Sequence, residues 1–162
     1  MEKKKQSKLP RGLRNHNPLN IISVATNGWQ GQCGTDGRFC VFESDIWGYR
    51  AAFKLMNSYN RKWVLDVGGI IQRWAPPSEN NTELYITRVC LLTGFDPLKQ
   101  ILVRVPNHRD AAILLVAAMT CVENGILMKD VDMPSIVRGY ELAFHNENKA
   151  KNVYNYQHGV KG

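Results

Sequence analysis

Residues 107–125 read NHRDAAILLVAAMTCVENG, and the reading of this stretch decides the fold. Asn107 opens a helix whose segment from Ala111 to Val122 is apolar on nearly every face. A helix with no polar face has to be enclosed on all sides, which predicts the central rod of a small helical domain. Gly125 is placed to be the left-handed residue that ends it. The unbroken apolar run is about half the length a bilayer crossing requires, so no membrane span is expected. Glu123 stands in the last turn. There it faces the negative end of the helix dipole as it emerges from the apolar rod, and both effects disfavour the charged form. The alternative is an ordinary solvated carboxylate at a helix end.

Working outward, the spacing predicts more helices. Ser44 or Asp45 caps a segment to about Tyr59 with Ile46, Tyr49, Phe53 and Met56 on one face. A shorter helix spans Val67 to Trp74 and is ended by Pro76-Pro77. Asn80 or Asn81 caps a third, which stops at Gly94, and Pro134 suits the first turn of a last one running to about Asn146. Strands are expected only from Trp29 to Cys33 and from Arg38 to Glu43, a hairpin turning on Asp36-Gly37. The fold class is therefore mainly α (α+β), a helical body beside one small β-hairpin lobe. Two such lobes leave a cleft between them.

The chain has 162 residues and a formal charge of +7, enough for one domain flanked by a basic tail (1–10) and a polar tail (149–162). The charge attracts polyanions, but no nucleic-acid reading motif accompanies it, so nucleic acid is not the expected partner. The start, MEKKKQSK, has no apolar stretch behind it and does not read as a standard signal peptide. If the target lies in the cell wall, a chain made in the cytoplasm must be carried there by lysis, a virion or a secretion machine. Four cysteines without a C-x-x-C pair, and a lone His16, give no metal-ligand pattern. No metal or cofactor is expected. Cys33 and Cys40 flank the hairpin turn and could face each other there, given suitable geometry and an oxidising compartment.

Three elements hold the candidate site residues. Glu123 is the candidate general acid, since a glycosidase acid must keep its proton near neutral pH. In RWAPPSENNT (73–82), Trp74 beside a rigid di-proline turn offers a flat face for a sugar ring. Asn80 and Asn81 there offer paired donors and acceptors for hydroxyl and N-acetyl groups. Glu79 is either a second acid or a carboxylate serving the start of the next helix. In RNHNPLNI (14–21), Asn15, Asn17 and Asn20 suit a loop that pins its own backbone and lines a polar groove.

Together these blocks resemble a phage- and prophage-associated lysozyme-like family whose members read R-G-x-R-N-N-N-P-x-N-I, then W-x-G, F-x-x-F, G-x-R-A, R-W-A-P-P-S-E-N-N-T-x-x-Y and E-N-G. The matching residues are Arg11 to Ile21, Trp29 to Gly31, Phe39 to Phe42, Gly48 to Ala51, Arg73 to Tyr85 and Glu123 to Gly125. Members are described as phage structural proteins or as wall hydrolases. His16 departs from the pattern, standing where an Asn is expected. A more distant likeness is to flagellum-associated glucosaminidases of the lysozyme-like superfamily, in the order Asn17 to Ile21, Trp29-Gln30-Gly31, Phe39 to Ser44 and Trp74-Ala75-Pro76. Those enzymes carry their catalytic Glu on a helix before these blocks. Here the helix ending in Glu123 comes after them, which implies a circularly permuted lysozyme-like core over 11–148.

The resemblance implies a peptidoglycan hydrolase that cuts the glycan backbone as a lytic transglycosylase, muramidase or glucosaminidase. Glu123 would be the single acid, with glycan strands as the partner. The alternative is a non-catalytic virion or glycan-binding component on the same fold.

Overall fold

The computed structural model describes residues 9–26 and 28–144. Both expected tails lie outside them, apart from Leu9 and Pro10, as does the expected end of the last helix at Asn146. The described chain runs α1 (Arg11–Arg14), β1 (Gln32–Thr35), β2 (Cys40–Phe42), α2 (Asp45–Arg61), α3 (Val67–Trp74), α4 (Thr82–Thr93), α5 (Arg109–Asn124) and α6, a helix over 133–144. Short 3-10 turns at Pro106–His108 and Met128–Asp130 bracket α5. The fold is mainly helical with one small antiparallel sheet. No helix among the described residues is long and apolar enough to cross a membrane.

The α5 helix is the rod that its composition demands. From Ile113 to Cys121 every residue except Leu114 is buried. It packs against α4, with α1 lying across its C-terminal end. Thr120, polar inside this rod, bonds back to the Val116 carbonyl at 2.8 Å and meets the Tyr49 hydroxyl of α2 at 3.1 Å. Gly125 ends the helix at φ 62°, and its N–H returns to the Cys121 carbonyl. Asp66 caps α3 by accepting from Gly69 N–H and Asn81 caps α4 by accepting from Leu84 N–H, whereas Ser44 precedes α2 without a side-chain capping bond.

The hairpin departs from the expected register. β1 starts three residues later than predicted, and the turn is four residues long rather than an Asp-Gly pair. The cause is the Asp36 side chain, which accepts the N–H groups of both Arg38 and Phe39 and so closes a wider loop. Arg11 at 2.6 Å and Asn15 at 2.8 Å also donate to this carboxylate, holding it far below the usual aspartate range.

The bulge between Gln32 and Gly34 puts Cys33 out of register, so Cys40 pairs with Thr35 instead. Cys33 is exposed and Cys40 buried, both as free thiols. The expectation that they might face each other is thereby corrected.

The free side of β2 receives the N-terminal loop. Cys40 N–H donates to Ile21 O, Phe42 N–H to Asn15 O, and Ser23 N–H to Arg38 O, all within 2.9 Å. Residues 15–23 are thus a third, irregular layer on the hairpin. This layer carries Asn20 toward the end of α5.

Candidate functional site

Glu123 and Asn20 are 103 positions apart in sequence, and Asn20 Nδ2 donates to Glu123 Oε2 at 2.9 Å. The other carboxylate oxygen, Oε1, accepts from the Tyr85 hydroxyl of α4 at 3.1 Å. Trp74 acts on the same carboxylate, although its indole N–H has its hydrogen bond to Leu19 O at 3.2 Å. Three elements therefore converge on one half-buried acid: the N-terminal loop, the α3 end and α4.

Burial pushes the Glu123 carboxyl above the usual range, while the donors Asn20 and Tyr85, and the nearby Trp74 indole, pull the other way without cancelling it. The direction is the one expected from an apolar rod, with burial as the main cause. Tyr85 is held well above its ordinary value by its own burial and by the neighbouring carboxylate. It therefore stays a hydroxyl donor throughout the neutral range.

Behind the acid the packing is tight. Asn124 Nδ2 donates to Pro18 O at 2.7 Å and Thr120 O at 2.9 Å, tying the loop to the end of α5. The amide oxygens of Asn20 and Asn124 are buried without a hydrogen-bond donor, and both press on Gly12. A Cβ at Gly12 would lie 2.7 Å from Asn124 Oδ1 and 2.9 Å from both Asn20 Oδ1 and Asn17 O. Only glycine fits. Asn20 itself holds φ 53°, in the left-handed region that asparagine tolerates better than most residues. His16 holds φ 49°, which gives a physical reason for the Asn of the resembled pattern; here the imidazole Nδ1 meets Asp45 Oδ1 at 2.9 Å instead.

Two hollows open around the acid. One is lined by Asn80, Asn81, Leu84, Tyr85, Arg88, Val122 and Glu123. The other holds Asn20, Trp29, Tyr59, Trp74 and Glu79 among its walls. Successive residues of the 76–81 turn contribute to both, so that turn stands between them.

The sequence-predicted residues divide accordingly. Glu123, Asn20, Trp74, Glu79, Asn80 and Asn81 come together around the two hollows. Asn81 is also the α4 cap, which occupies its oxygen and leaves its amide nitrogen for a ligand. Glu79 is exposed and 3.9 Å from Arg38, on the far side of the turn from Glu123.

Neither Asn17 nor Asn15 lines either hollow, and the full burial of Asn17 corrects its expected binding role. Asn17 is fully buried, donating to Ile21 O and Cys40 O and accepting from Ile21 N–H. Asn15 is held on the hairpin by Asp36. Both shape the loop that presents Asn20.

Tyr85, Gly12 and Asn124 escaped sequence reasoning as site residues. Tyr85 carried a signal: a tyrosine on the buried face of a helix needs a partner for its hydroxyl.

The fold and this site define a small, mainly helical domain built around a half-buried acid at the end of its central helix, with a polar groove beside it. No family model matches the chain. Over 140 residues it is 36% identical to Protein P5 of Pseudoalteromonas phage PM2, an alignment that covers 83% of this chain and 82% of that protein. The chain belongs to the family of that phage protein.

Proposed function

We propose that this protein is a phage-associated enzyme that cleaves the glycan backbone of peptidoglycan, with Glu123 as its general acid. The observation that carries the reading is the setting of Glu123. It is half-buried, its pKa is raised, and each of its oxygens receives a hydrogen bond from a protein donor. A proton on such a carboxyl is left for the oxygen of a ligand in the adjoining hollow. Protonating the glycosidic oxygen lets the C1–O bond break with its electron pair going to the leaving sugar.

Among the described residues, Glu123 is the single carboxylate lining its hollow. That favours participation by the sugar's own N-acetyl group over a two-carboxylate retaining course. An incoming hydroxyl, from water or from the sugar, then attacks C1 and returns a proton to Glu123. Asn80 and Asn81 supply amides for N-acetyl and hydroxyl groups, and the Trp29, Tyr59 and Trp74 rings supply apolar walls on the other side. A circularly permuted lysozyme-like order is consistent with the contact between Asn20 and Glu123, since it requires the late helix to meet the early loop.

The test is mass analysis of glycan released from purified peptidoglycan. Soluble muropeptides are expected, with an anhydro end for a transglycosylase and a reducing end for a hydrolase. Sedimentation with the wall but no release would favour the non-catalytic virion component. Neither release nor binding would reject both.

A further inference from the structure

Beyond Glu123 the groove changes character. A third cavity, about 330 Å³, is lined by Arg88, Leu91, Leu92, Cys121, Val122, Gly125 and Ile126. Arg88 and Val122 also line the Glu123 hollow, so the two cavities share a wall. The lining is apolar apart from one cation, and no acidic residue belongs to it. Arg88 has no acidic partner among the described residues and lies exposed one turn along α4 from Tyr85. Leu91 is 79% exposed, and Leu127 near the rim is 63% exposed. An apolar trough with an unpaired guanidinium at its mouth, continuous with a glycan site, suits a short apolar chain ending in carboxylate. A bare sugar strand uses neither feature.

We propose that this cavity is the subsite for the carboxylate-bearing peptide attached to the glycan, and that Arg88 sets the preference for peptide-substituted over naked strands. The proposal rests on the wall-hydrolase reading and deepens it. Arg88 pairs with a peptide carboxylate while Leu91, Leu92 and Ile126 receive the small apolar residues.

The test compares intact peptidoglycan with the same material stripped of its peptides by an amidase. Glycan release reports turnover, and co-sedimentation of Glu123→Gln reports binding without turnover. The wild type is expected to favour the intact polymer roughly tenfold in kcat/KM, the gain from one desolvated charge-assisted contact. Leu91→Ser, at an exposed position that lines this cavity and not the Glu123 hollow, should lose most of that preference while changing less than about twofold on stripped glycan. Arg88→Gln, on the shared wall, should lose more on the intact polymer than on stripped glycan. Arg104→Gln removes the same charge from an exposed site outside the cavity and should keep the preference.

Equal action on both substrates, or equal losses on both in Leu91→Ser, overturns the subsite and leaves the hydrolase reading intact. No release from either substrate rejects the hydrolase reading, and the co-sedimentation preference then judges the subsite alone. A dimer that Leu91→Ser dissociates without altering substrate preference would assign the cavity to a second copy and overturn the proposal.

Discussion

Asn20 Nδ2 and Glu123 Oε2 meet at 2.9 Å across 103 positions of sequence, and this contact joins the hairpin layer to the central helix. Asn20 presents its nitrogen to the acid. Its oxygen is thereby turned back against Gly12, where a Cβ would sit 2.9 Å from it. The position of the acid thus depends on a residue that has no side chain.

Gly12→Ala should therefore disturb fold and site together. The added methyl meets two amide oxygens and a backbone carbonyl, an overpacking that costs about 1–3 kcal/mol. Denaturant unfolding reads the loss, and the activity at Glu123 should fall further than the stability change explains. An unchanged midpoint would show that the loop has room to relax.

Asn17 and Asn80 should separate cleanly. Asn17→Ala strands the Ile21 N–H and takes a donor from each of the Ile21 and Cys40 carbonyls, and one orphaned buried group costs about 1–3 kcal/mol. A loss of at least about 2 kcal/mol is expected by chemical denaturation. Asn80 is exposed at the groove, so Asn80→Ala should leave stability within about 0.5 kcal/mol and weaken retention on peptidoglycan.

Tyr85→Phe removes a donor that favours the charged form of Glu123. The carboxyl pKa, already raised by burial, should rise further, moving the alkaline limb of the pH–activity profile upward. Carboxyl titration by NMR checks the direction independently. A downward shift would mean that the hydroxyl acts as an acceptor from the acid.

Stability should depend on pH with a definite sign. The folded pKa of Glu123 lies above its unfolded value, so between the two the folded protein holds a proton that the unfolded chain has released. Stability from this group is present below about pH 4 and is lost as pH rises through the folded pKa. Glu123→Gln lacks that loss. Its melting temperature relative to wild type should increase as pH rises above about 4 and level once the pH has passed the folded pKa. A difference that stays constant with pH would contradict the raised pKa.

Much of the fold was legible because it rests on local rules. The nearly all-apolar run from Ala111 to Val122 declared its own burial, and Gly94, Gly125 and Asn81 marked helix ends through conformation or capping. The hairpin register was not legible, since it turns on how Asp36 divides its oxygens among Arg11, Asn15, Arg38 and Phe39. Two of those donors belong to a different element.

The site follows the same division. Glu123 stood out by its place on a buried helix, whereas Tyr85, Gly12 and Asn124 acquire their roles from contacts with residues remote in sequence. Asn17 and Asn20 look alike in the chain. Only the packing of the loop on β2 turns one inward and leaves the other to meet the acid.

The most direct measurement is the rate of glycan release from purified peptidoglycan by wild type and by Glu123→Gln, at matched folding. Gln keeps the volume of the acid and has no proton to give. If Glu123 is the general acid, the rate should fall by about 10²–10⁴-fold while wall binding persists. Release that continues at the wild-type rate would remove Glu123 from the mechanism and contradict the account.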